Sequence, residues 1–366
     1  MEKVNIGVVG CGNISGIYFQ NLTKVFLNTN VYACADLNPE RAKAAAEKYA
    51  IPRIMTFEDM LGDDNISIIL NLTTPGAHYS VCKAALSAGK HVYTEKPLCL
   101  RFDEGAELVR LAEEKGLYLG CAPDTFLGAG LQTCRKLIDG GFIGDIVGAS
   151  AFMLCPGHES WHPDPEFYYK PGGGPMFDMG PYYLTALVDL LGGVKEICGM
   201  GNITFPERTI TSEKKFGEKI KVETDTHIAG MLRFRNGALG TITTSFDVAK
   251  SALPNIEIYG TRGTILTPDP NTFGGSVMLA TRDGSGFREI PLSFGYSENS
   301  RGLGVSDMAK CVLSGGDNRA SGARALHVLE IMEFFRTCDA EKAYHAMTTN
   351  PERSAPMNPG AIKGEV

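Results

Sequence analysis

The chain has 366 residues, of which 43% are hydrophobic and 21% are charged, and its formal net charge is −7 at pH 7. This length is too great for a typical single core and predicts two domains, while the composition is that of an ordinary globular protein. The acidic balance argues against a nucleic-acid or membrane partner, because both need a concentrated basic face. No apolar run approaches the ~18 residues that a membrane span requires.

The start of the sequence and the cysteines predict a cytoplasmic protein. The opening MEKVNIGVVGCG enters a predicted strand at once and leaves no room for a charged and then an apolar signal segment. The ten cysteines are scattered, with no CxxC pair and no cluster of histidine and cysteine at zinc spacing. Unpaired thiols in a chain of this length are typical of a reducing compartment, and no metal site is expected.

The first chemical signal is a glycine turn between a predicted strand and a predicted helix. The run from Val4 to Val9 is typical of a strand buried on both faces of a parallel sheet, and apolar residues at helical spacing follow it. In the pattern GxGxxG the third glycine is replaced by Ser15, a small residue that still permits close packing of helix and strand. The turn predicts backbone N–H groups facing a pyrophosphate. The residues assigned to this contact are Gly10, Gly12, Asn13 and Ile14.

A second predicted strand, VYACAD, ends at Asp36, 21 residues after Ser15. An acid at this place accepts hydrogen bonds from both ribose hydroxyls of a dinucleotide. Its carboxylate would repel a 2′-phosphate, and the next residues, Leu37 and Asn38, offer no cation to offset that repulsion. The predicted cofactor is therefore NAD, with NADP disfavoured; the alternative is a βαβ unit that binds no nucleotide.

The alternation of strand and helix continues to about residue 122 and predicts a doubly wound parallel sheet, the Rossmann arrangement, over residues 1–122. The predicted strands are 67–72, 91–94 and 117–122, and the predicted helices between them are about 78–88 and 104–115. The overall class is α/β.

Residues 123–345 predict a different architecture, an α+β domain with a large, mostly antiparallel open sheet. A connecting helix stops at Gly140 and Gly141, and later strand patterns are separated by turn signals such as RNG and GTRG. We expect this domain to bind substrate on one side and to join subunits of a homo-oligomer, a dimer or tetramer, on the other. The polar tail 346–366 contains three prolines and is expected to be a surface strap or partly disordered.

An ordered set of motifs runs through both halves: the glycine turn, the acid after the second strand, a TxPxxxH loop, an EKP triplet, a GGG segment and a DxG motif. With this set the chain resembles the Gfo/Idh/MocA family of NAD(P)-dependent oxidoreductases, the relatives of glucose-fructose oxidoreductase and inositol dehydrogenase. The resemblance covers nearly the whole chain and implies a Rossmann domain followed by a substrate domain.

The resemblance also implies roles for residues of the first half. Lys96 would lie near the nicotinamide and the substrate hydroxyl, where its ammonium lowers the pKa of an alcohol or stabilises an alkoxide. Glu95 would approach the nicotinamide ribose, and the peptide bond from Lys96 to Pro97 is commonly cis in this family. The residues that would line the cofactor from the TxPxxxH loop are Thr73, Thr74, Pro75 and His78.

The segment PGHESWHPDPEFYYKPGGGP is a loop rich in aromatic residues, too polar and proline-rich to be core. Trp161 and His162 are candidates for binding a sugar, whose ring has apolar C–H faces and a polar rim. A metal held by His158 and His162 is disfavoured by the neighbouring prolines. The alternative is that the aromatic residues only anchor a long loop.

In many members of the family the later motif is DxGxH, in which the acid helps place the substrate and the histidine exchanges the alcohol proton. Here Asp178 is followed by Tyr182 at the histidine position, and Thr185 stands where a further acid is often found. A neighbouring ammonium favours the phenolate, so Tyr182 and Lys96 can serve together as acid and base if they lie within about 4–6 Å of each other. Two alternatives stay open: Tyr182 hydrogen-bonds a sugar hydroxyl while Lys96 or His162 takes the proton, or Tyr182 packs at a helix start.

These observations predict an NAD-dependent dehydrogenase or reductase of a sugar, polyol or cyclitol. The catalytic candidates are Lys96, Asp178 and Tyr182, and the substrate contacts are these three together with Trp161 and His162. Two other functions stay open. One is a glycoside-cleaving enzyme that uses tightly bound, recycled NAD through transient oxidation and elimination, and the other is a non-catalytic NAD-binding sensor.

Overall fold

The computed structural model describes residues 2–361 and 364–366. The elements of the first region are β1 (Val4–Val9), α1 (Ser15–Lys24), β2 (Thr29–Ala35), α2 (Pro39–Tyr49), α3 (Phe57–Gly62), β3 (Ile68–Asn71), α4 (Pro75–Ser87), β4 (His91–Thr94), α5 (Phe102–Glu114) and β5 (Leu119–Cys121). The strands form one sheet in the order β2-β1-β3-β4-β5, and all neighbours run parallel. The predicted Rossmann sheet is confirmed.

The parallel arrangement places the carboxyl ends of all five strands at one edge of the sheet, which is where ligands bind in open α/β sheets. The glycine turn, Asp36 and the EKP triplet each follow a strand directly, and the TxPxxxH loop begins two residues after the end of β3. Strand β3 is buried along its whole length, as expected for an apolar strand covered by helices on both faces.

The second region begins with a 3-10 turn (Thr125–Leu127) and contains a large sheet with helices on one face. Its elements are α6 (Ala129–Asp139), β6 (Ile146–Leu154), a 3-10 turn (Pro165–Tyr169), α7 (Gly174–Asp178), α8 (Gly180–Leu191), β7 (Val194–Asn202), β8 (Glu207–Thr209), β9 (Lys219–Lys221), β10 (His227–Phe234), β11 (Leu239–Ser245), β12 (Ile256–Gly260), β13 (Gly263–Leu266), β14 (Val277–Thr281), β15 (Arg288–Ile290), α9 (Leu303–Ser314), α10 (Gly322–Glu341) and β16 (His345–Ala346).

The strand order of the large sheet is β15-β14-β13-β12-β6-β11-β10-β7-β16, and β8 and β9 form a separate hairpin. Only the β6–β11 pair is parallel among these described strands, which confirms the prediction of a mostly antiparallel sheet. Strand β10 alternates between buried and exposed residues, because one face of the sheet packs against helices. A Cβ at Gly230 would lie 2.4 Å from the ring of Phe335, so glycine lets α10 lie directly on the sheet.

The opposite face of this sheet is open in the single chain. Met231 pairs with Cys198 across β7 and β10, and Met200, Met231 and Leu239 expose between 47% and 68% of their surface. An apolar sheet face of this kind is a candidate surface for association.

Helix α9 belongs to the second region in sequence but packs on the first sheet. Asn28 donates to the carbonyl of Ser306 at 2.8 Å, and the Ser306 hydroxyl donates back to Asn28 Oδ1 at 2.7 Å. At the edge of the sheet, Cys121 N–H donates to the carbonyl of Ala320 at 2.9 Å. The first sheet is therefore completed by residues that lie far beyond position 122.

The described part of the tail runs over the surface of both regions. The buried carboxylate of Glu330 accepts hydrogen bonds from the backbone N–H groups of Thr348 at 2.7 Å and Thr349 at 3.0 Å. Near the end of the chain, the carbonyl of Gly364 accepts from Leu27 N–H at 3.1 Å. Residues 362 and 363, which the strap prediction includes, lie outside the described residues. Over the described residues, none of the helices has the length and apolarity needed to cross a membrane.

Candidate active site

The turn after β1 leaves room for a phosphate group to approach the backbone. Gly10 has φ 99° and a Cβ there would lie 2.6 Å from the carbonyl oxygen of Leu72, so only glycine fits. At Gly12 a Cβ would meet no atom within 4 Å, which means that the space beside this residue is open. The Ser15 hydroxyl donates to the carbonyl of Gly12 at 2.7 Å and closes the turn.

The N-terminus of α1 opens directly from this turn. Asn13 is exposed and Ile14 is the N-cap residue, with no side chain capping the first N–H groups within the described residues. Uncapped N–H groups and the positive end of the helix dipole form a natural site for an anion. The turn and α1 together fit the pyrophosphate of a dinucleotide.

The carboxylate of Asp36 is fixed beside the turn by two backbone groups. Its Oδ2 accepts from Cys11 N–H at 2.7 Å, and its Oδ1 accepts from Asn38 N–H at 2.8 Å. Each oxygen keeps a second lone pair that can accept a hydrogen bond from a ribose hydroxyl. The side chain of Leu37 is fully exposed.

His78 holds the loop after β3 and the loop after β4 in place from inside the core. Its ring is fully buried, with Nδ1 2.6 Å from the carbonyl oxygen of Pro97 and Nε2 3.1 Å from that of Thr73. Burial lowers the pKa of His78 below its usual range. Because the ring has no exposed surface, it positions the loop, whereas Thr74 and Pro75 are exposed at the start of α4.

Glu95 is held by two donors at the end of β4. The hydroxyl of Tyr18 donates to Oε1 at 2.7 Å, and the backbone N–H of Lys96 donates to Oε2 at 2.9 Å. Burial raises the pKa of Tyr18, so this phenol stays a donor. The peptide bond from Lys96 to Pro97 is cis, as the resemblance implies. Tyr18 is a supporting residue that the sequence analysis missed.

Lys96 reaches from the first region to the second. Its Nζ donates to Asp178 Oδ1 at 3.0 Å and to the backbone carbonyl of Asp178. It also lies 5.3 Å from the centroid of the Tyr182 ring. The structure thus brings the three predicted catalytic residues together.

The charges of Lys96 and Asp178 stabilise each other. Burial acts to lower the pKa of Lys96, but the carboxylate of Asp178 outweighs it and the pKa is raised above its usual range. Burial acts to raise the pKa of Asp178, but Lys96 and then His158 outweigh it and the pKa is lowered. At neutral pH the site therefore contains an ammonium and a carboxylate.

Tyr182 lies in the first turn of α8 and is 7% exposed. Burial raises the pKa of Tyr182, although Lys96 and Arg301 both act to lower it. The phenol is therefore neutral at pH 7, and the ammonium lies over its ring. This arrangement favours a hydrogen-bonding phenol over a phenolate base. Tyr183, the next residue, is buried in the core.

Arg301 is a second residue that the sequence analysis missed. Its guanidinium acts to lower the pKa of the Tyr182 phenol and donates to Asn271 Oδ1 at 2.7 Å and Asn299 Oδ1 at 2.9 Å. The sequence carries no local signal for it, because Arg301 lies more than one hundred residues after Tyr182.

A histidine reaches Asp178 from the loop that follows β6. Nε2 of His158 lies 3.4 Å from Asp178 Oδ2, on the side of the carboxylate away from Lys96. The imidazole is enclosed by aromatic rings, with centroid distances of 4.1 Å to Tyr168, 4.6 Å to Phe246 and 5.2 Å to Trp161. The sequence places His158 in the aromatic loop and carries no signal that it contacts Asp178. Within the described residues no group of three or more metal-ligating side chains is present.

The loop that carries His158 is anchored in the core. Arg208 pairs with Glu159 at 2.9 Å and with Asp247, and the hydroxyl of Tyr169 donates to Glu159 Oε2 at 2.6 Å. Tyr169 is fully buried. The expectation that this loop lies outside the core is therefore wrong for Tyr169, because its hydroxyl finds a buried partner that the sequence does not indicate.

Trp161 and His162 lie farther out on the same loop. Trp161 is 60% exposed and its ring centroid is 5.3 Å from that of His162. His162 Nδ1 accepts from Asp164 N–H at 3.0 Å. Among the described residues, neither Trp161 nor His162 forms a hydrogen bond or an ion pair with Lys96 or Asp178.

Two family models match the chain. The model described as an oxidoreductase family with an NAD-binding Rossmann fold matches residues 4–122, and the GFO/IDH/MocA C-terminal domain matches residues 131–266.

Among curated proteins, an uncharacterized oxidoreductase of Schizosaccharomyces pombe is 28% identical over 200 residues, which is 52% of this chain and 53% of that protein. The match thus spans about half the length of this relative. Myo-inositol 2-dehydrogenase of Thermotoga maritima is 24% identical over 264 residues, 72% of this chain and 74% of that protein.

The fold is similar to that of a solved levoglucosan dehydrogenase in complex with NADH and L-sorbose, with a TM-score of 0.80 and 22% identity over 96% of this chain and 100% of that one. The two matched family models agree with the observed structure, in which a Rossmann sheet with its glycine turn is followed by a mixed second sheet. The chain belongs to the Gfo/Idh/MocA family of NAD-binding oxidoreductases.

Proposed function

We propose that this protein is an NAD-dependent dehydrogenase or reductase that acts on a hydroxyl or ketone of a sugar, polyol or cyclitol. The observation that carries the proposal is the ammonium of Lys96, which is held by Asp178 at the sheet edge that also contains the glycine turn. The nicotinamide supplies a hydride acceptor or donor when it is bound. The residues that would hold the dinucleotide are those of the turn, Asp36 and Glu95.

The proposed work of Lys96 is electrostatic. Its raised pKa keeps the amine protonated through neutral pH, so it can donate to the substrate oxygen and stabilise the developing alkoxide. Asp178 fixes the direction of the ammonium through two acceptor atoms. The neutral phenol of Tyr182 is suited to hydrogen-bonding a hydroxyl of the substrate.

The carbohydrate class is supported by the walls of the site. The exposed ring of Trp161 and the half-buried rings of Tyr168 and His162 offer apolar faces beside polar groups, which matches the surface of a sugar. The names of two related proteins, a myo-inositol dehydrogenase and a levoglucosan dehydrogenase, support the same class.

The preference for NAD over NADP is supported by Asp36. Its carboxylate is held in place by two backbone N–H groups, and a negative charge at this place repels a 2′-phosphate. The following residues, Leu37 and Asn38, supply no positive charge.

The open face of the second sheet supports a homo-oligomer. Met200, Met231 and Leu239 are exposed there, and a second copy of the chain would cover them. Sedimentation of the wild type and of Met231→Glu tests this: we expect a dimer or tetramer that the charge weakens. A wild type that sediments as a monomer contradicts it.

The scattered free cysteines support a cytoplasmic location.

The function is tested by titrating NADH and NADPH against the purified protein and by following NAD reduction with myo-inositol, D-xylose, D-glucose and levoglucosan. We expect NADH to bind at least tenfold more tightly than NADPH and one or more of these compounds to reduce NAD. Release of free sugar from a glycoside without net NADH would instead support the recycled-NAD enzyme. Tight NAD binding without turnover of this panel or of a broader carbohydrate set would support the sensor.

A further inference from the structure

We infer that His158 is the acid and base that exchanges the proton of the substrate hydroxyl, with Asp178 orienting its imidazole. The inference rests on the proposed function and assigns a role to a residue of the loop after β6. It is carried by the position of Asp178, whose two carboxylate oxygens face different partners. Oδ1 accepts from Lys96 at 3.0 Å, and Oδ2 lies 3.4 Å from His158 Nε2.

The direction of the imidazole decides which nitrogen is available. Nε2 is buried and makes no hydrogen bond among the described residues, although it lies within 3.4 Å of Asp178 Oδ2. Hydrogen bonds of this kind are often long or misaligned without substrate and tighten in the complex. A proton on Nε2 is favoured by the adjacent carboxylate, which leaves the lone pair on Nδ1 free. Nδ1 makes no hydrogen bond among the described residues, where the hydrogen bond of this residue is donated by its backbone N–H.

The ring is held in place before substrate arrives. Gly157 has φ 96°, and a Cβ there would lie 2.3 Å from Glu159 Oε2 and 2.5 Å from the Tyr169 hydroxyl. The Tyr169 hydroxyl also accepts a hydrogen bond from His158 N–H at 3.3 Å. Arg208 forms an ion pair with Glu159. A site group fixed by packing and by supporting hydrogen bonds is the arrangement that catalysis requires.

The other nearby groups are less suited to accept the proton. Lys96 has a raised pKa and no lone pair at neutral pH, and Tyr182 is a neutral phenol. His162 uses Nδ1 to accept from Asp164 N–H and forms no ion pair with Asp178 among the described residues. His158 is the histidine in contact with the carboxylate that also holds Lys96.

The proton step in the direction of oxidation is as follows. The O–H bond of the substrate breaks and its proton passes to Nδ1 of neutral His158, giving an imidazolium beside the carboxylate of Asp178. The electron pair of that bond stays on oxygen and forms the C=O bond, while the carbinol carbon loses its hydrogen as the hydride that NAD accepts. Loss of the proton from Nδ1 to solvent restores neutral His158. The reverse sequence reduces a ketone.

The charged and titratable groups around His158 are Asp178 from α7, Lys96 after β4, Tyr168 from the 3-10 turn, and the Glu159–Arg208 pair behind the loop. A first test needs no substrate. Side-chain ¹⁵N NMR of the whole protein should show His158 as the tautomer with the proton on Nε2, and Asp178→Asn should remove this preference. A proton fixed on Nδ1 in the wild type would overturn the inference.

A second test is kinetic and uses NAD with whichever compound of the panel is most active. We expect His158→Asn to lower kcat by about 10²-fold or more and to remove the acidic limb of the pH profile. Imidazole added to His158→Ala should restore part of kcat, while NADH binding stays within threefold of wild type. His162→Asn, on the same loop, should raise KM and keep the acidic limb.

The outcomes separate this inference from the proposed function. His158→Asn with wild-type kcat and pH profile, together with a large loss in Tyr182→Phe, would assign proton exchange to Tyr182 and leave the dehydrogenase proposal standing. A wild type that reduces no NAD with any carbohydrate would overturn both the proposed function and the role of His158 in it, whatever tautomer the NMR spectrum shows.

Discussion

The turn after β1 gathers its functional groups within a few consecutive residues, whereas the groups around Asp178 come from four separate parts of the chain. In the turn the backbone does the binding, so the important features are an N–H direction and a missing Cβ. Around Asp178 side-chain charges act on one another, so the important features are distances between Lys96, Asp178 and His158. Substitutions in the turn should therefore change NADH affinity, whereas substitutions around Asp178 should change kcat.

The comparison is tested most strongly by Lys96→Met, which removes the ammonium and keeps most of the side-chain volume. We expect kcat to fall by about 10³-fold, because a preorganised charge at the developing alkoxide is lost. NADH affinity should change less than threefold. Steady-state kinetics and an NADH titration measure the two effects. Lys83→Met, at a half-buried lysine of α4 that pairs with Glu107, is the control; equal losses in both variants would contradict the role of Lys96.

The turn itself is tested by a pair of alanine substitutions. Gly10→Ala places a Cβ 2.6 Å from a carbonyl oxygen at φ 99°, so we expect the unfolding free energy to fall by about 2–3 kcal/mol. Gly12→Ala meets no atom within 4 Å, so the melting temperature should hold while NADH affinity falls at least tenfold. Thermal unfolding and NADH titration separate the two. Unchanged NADH affinity in Gly12→Ala would show that the ligand does not approach this residue.

The joint between the two regions predicts a pH effect. Asp124 accepts from the N–H groups of Gly302 at 2.9 Å and Gly304 at 3.0 Å, and burial raises its pKa to about 6. A carboxyl whose pKa is higher in the folded chain stabilises the fold below about pH 4, and this contribution is lost as the pH rises through about 6.

We expect the stability of the wild type, relative to Asp124→Asn, to decline by about 2 kcal/mol between pH 4 and pH 7. Denaturant unfolding at several pH values in this range measures it. Parallel pH profiles for the two proteins would mean that folding does not raise the pKa of Asp124.

The smallest expected effect is at Tyr182. Tyr182→Phe keeps the ring beneath Lys96 and removes only the hydroxyl, so we expect kcat/KM to fall by about tenfold or less. The pH profile should keep its shape. A loss greater than about 10²-fold with a changed profile would make the phenol the proton-exchanging group.

The first region was predicted closely because its signals are local. The predicted strand at 91–94 coincides with β4, and the strand predicted at 67–72 is β3 at Ile68–Asn71. Where a functional glycine, acid or lysine comes directly after a strand, the strand pattern and the residue can be recognised together in a short stretch of sequence. No element was predicted between residues 37 and 66, where the structure has α2 and α3.

The second region was predicted only in outline, because its site depends on distant contacts. Asp178 and Tyr182 were found through one contiguous motif. His158 lies 20 residues earlier in a loop and Arg301 more than one hundred residues later, and no periodicity marks either of them as a neighbour of that motif. Two-residue strands such as β16 likewise have no sequence pattern of their own.

The hydrogen bond from Cys121 to Ala320 at the edge of the first sheet has a consequence for synthesis of the protein. The two partners are about 200 residues apart, so at roughly 5–20 residues per second the ribosome needs about 10–40 s to make the second after the first. Throughout that interval β5 is an edge strand with unpaired backbone groups, which is a template for pairing with another chain. We therefore expect this edge to be most prone to pairing with another chain in the interval before residues 303–321 are made.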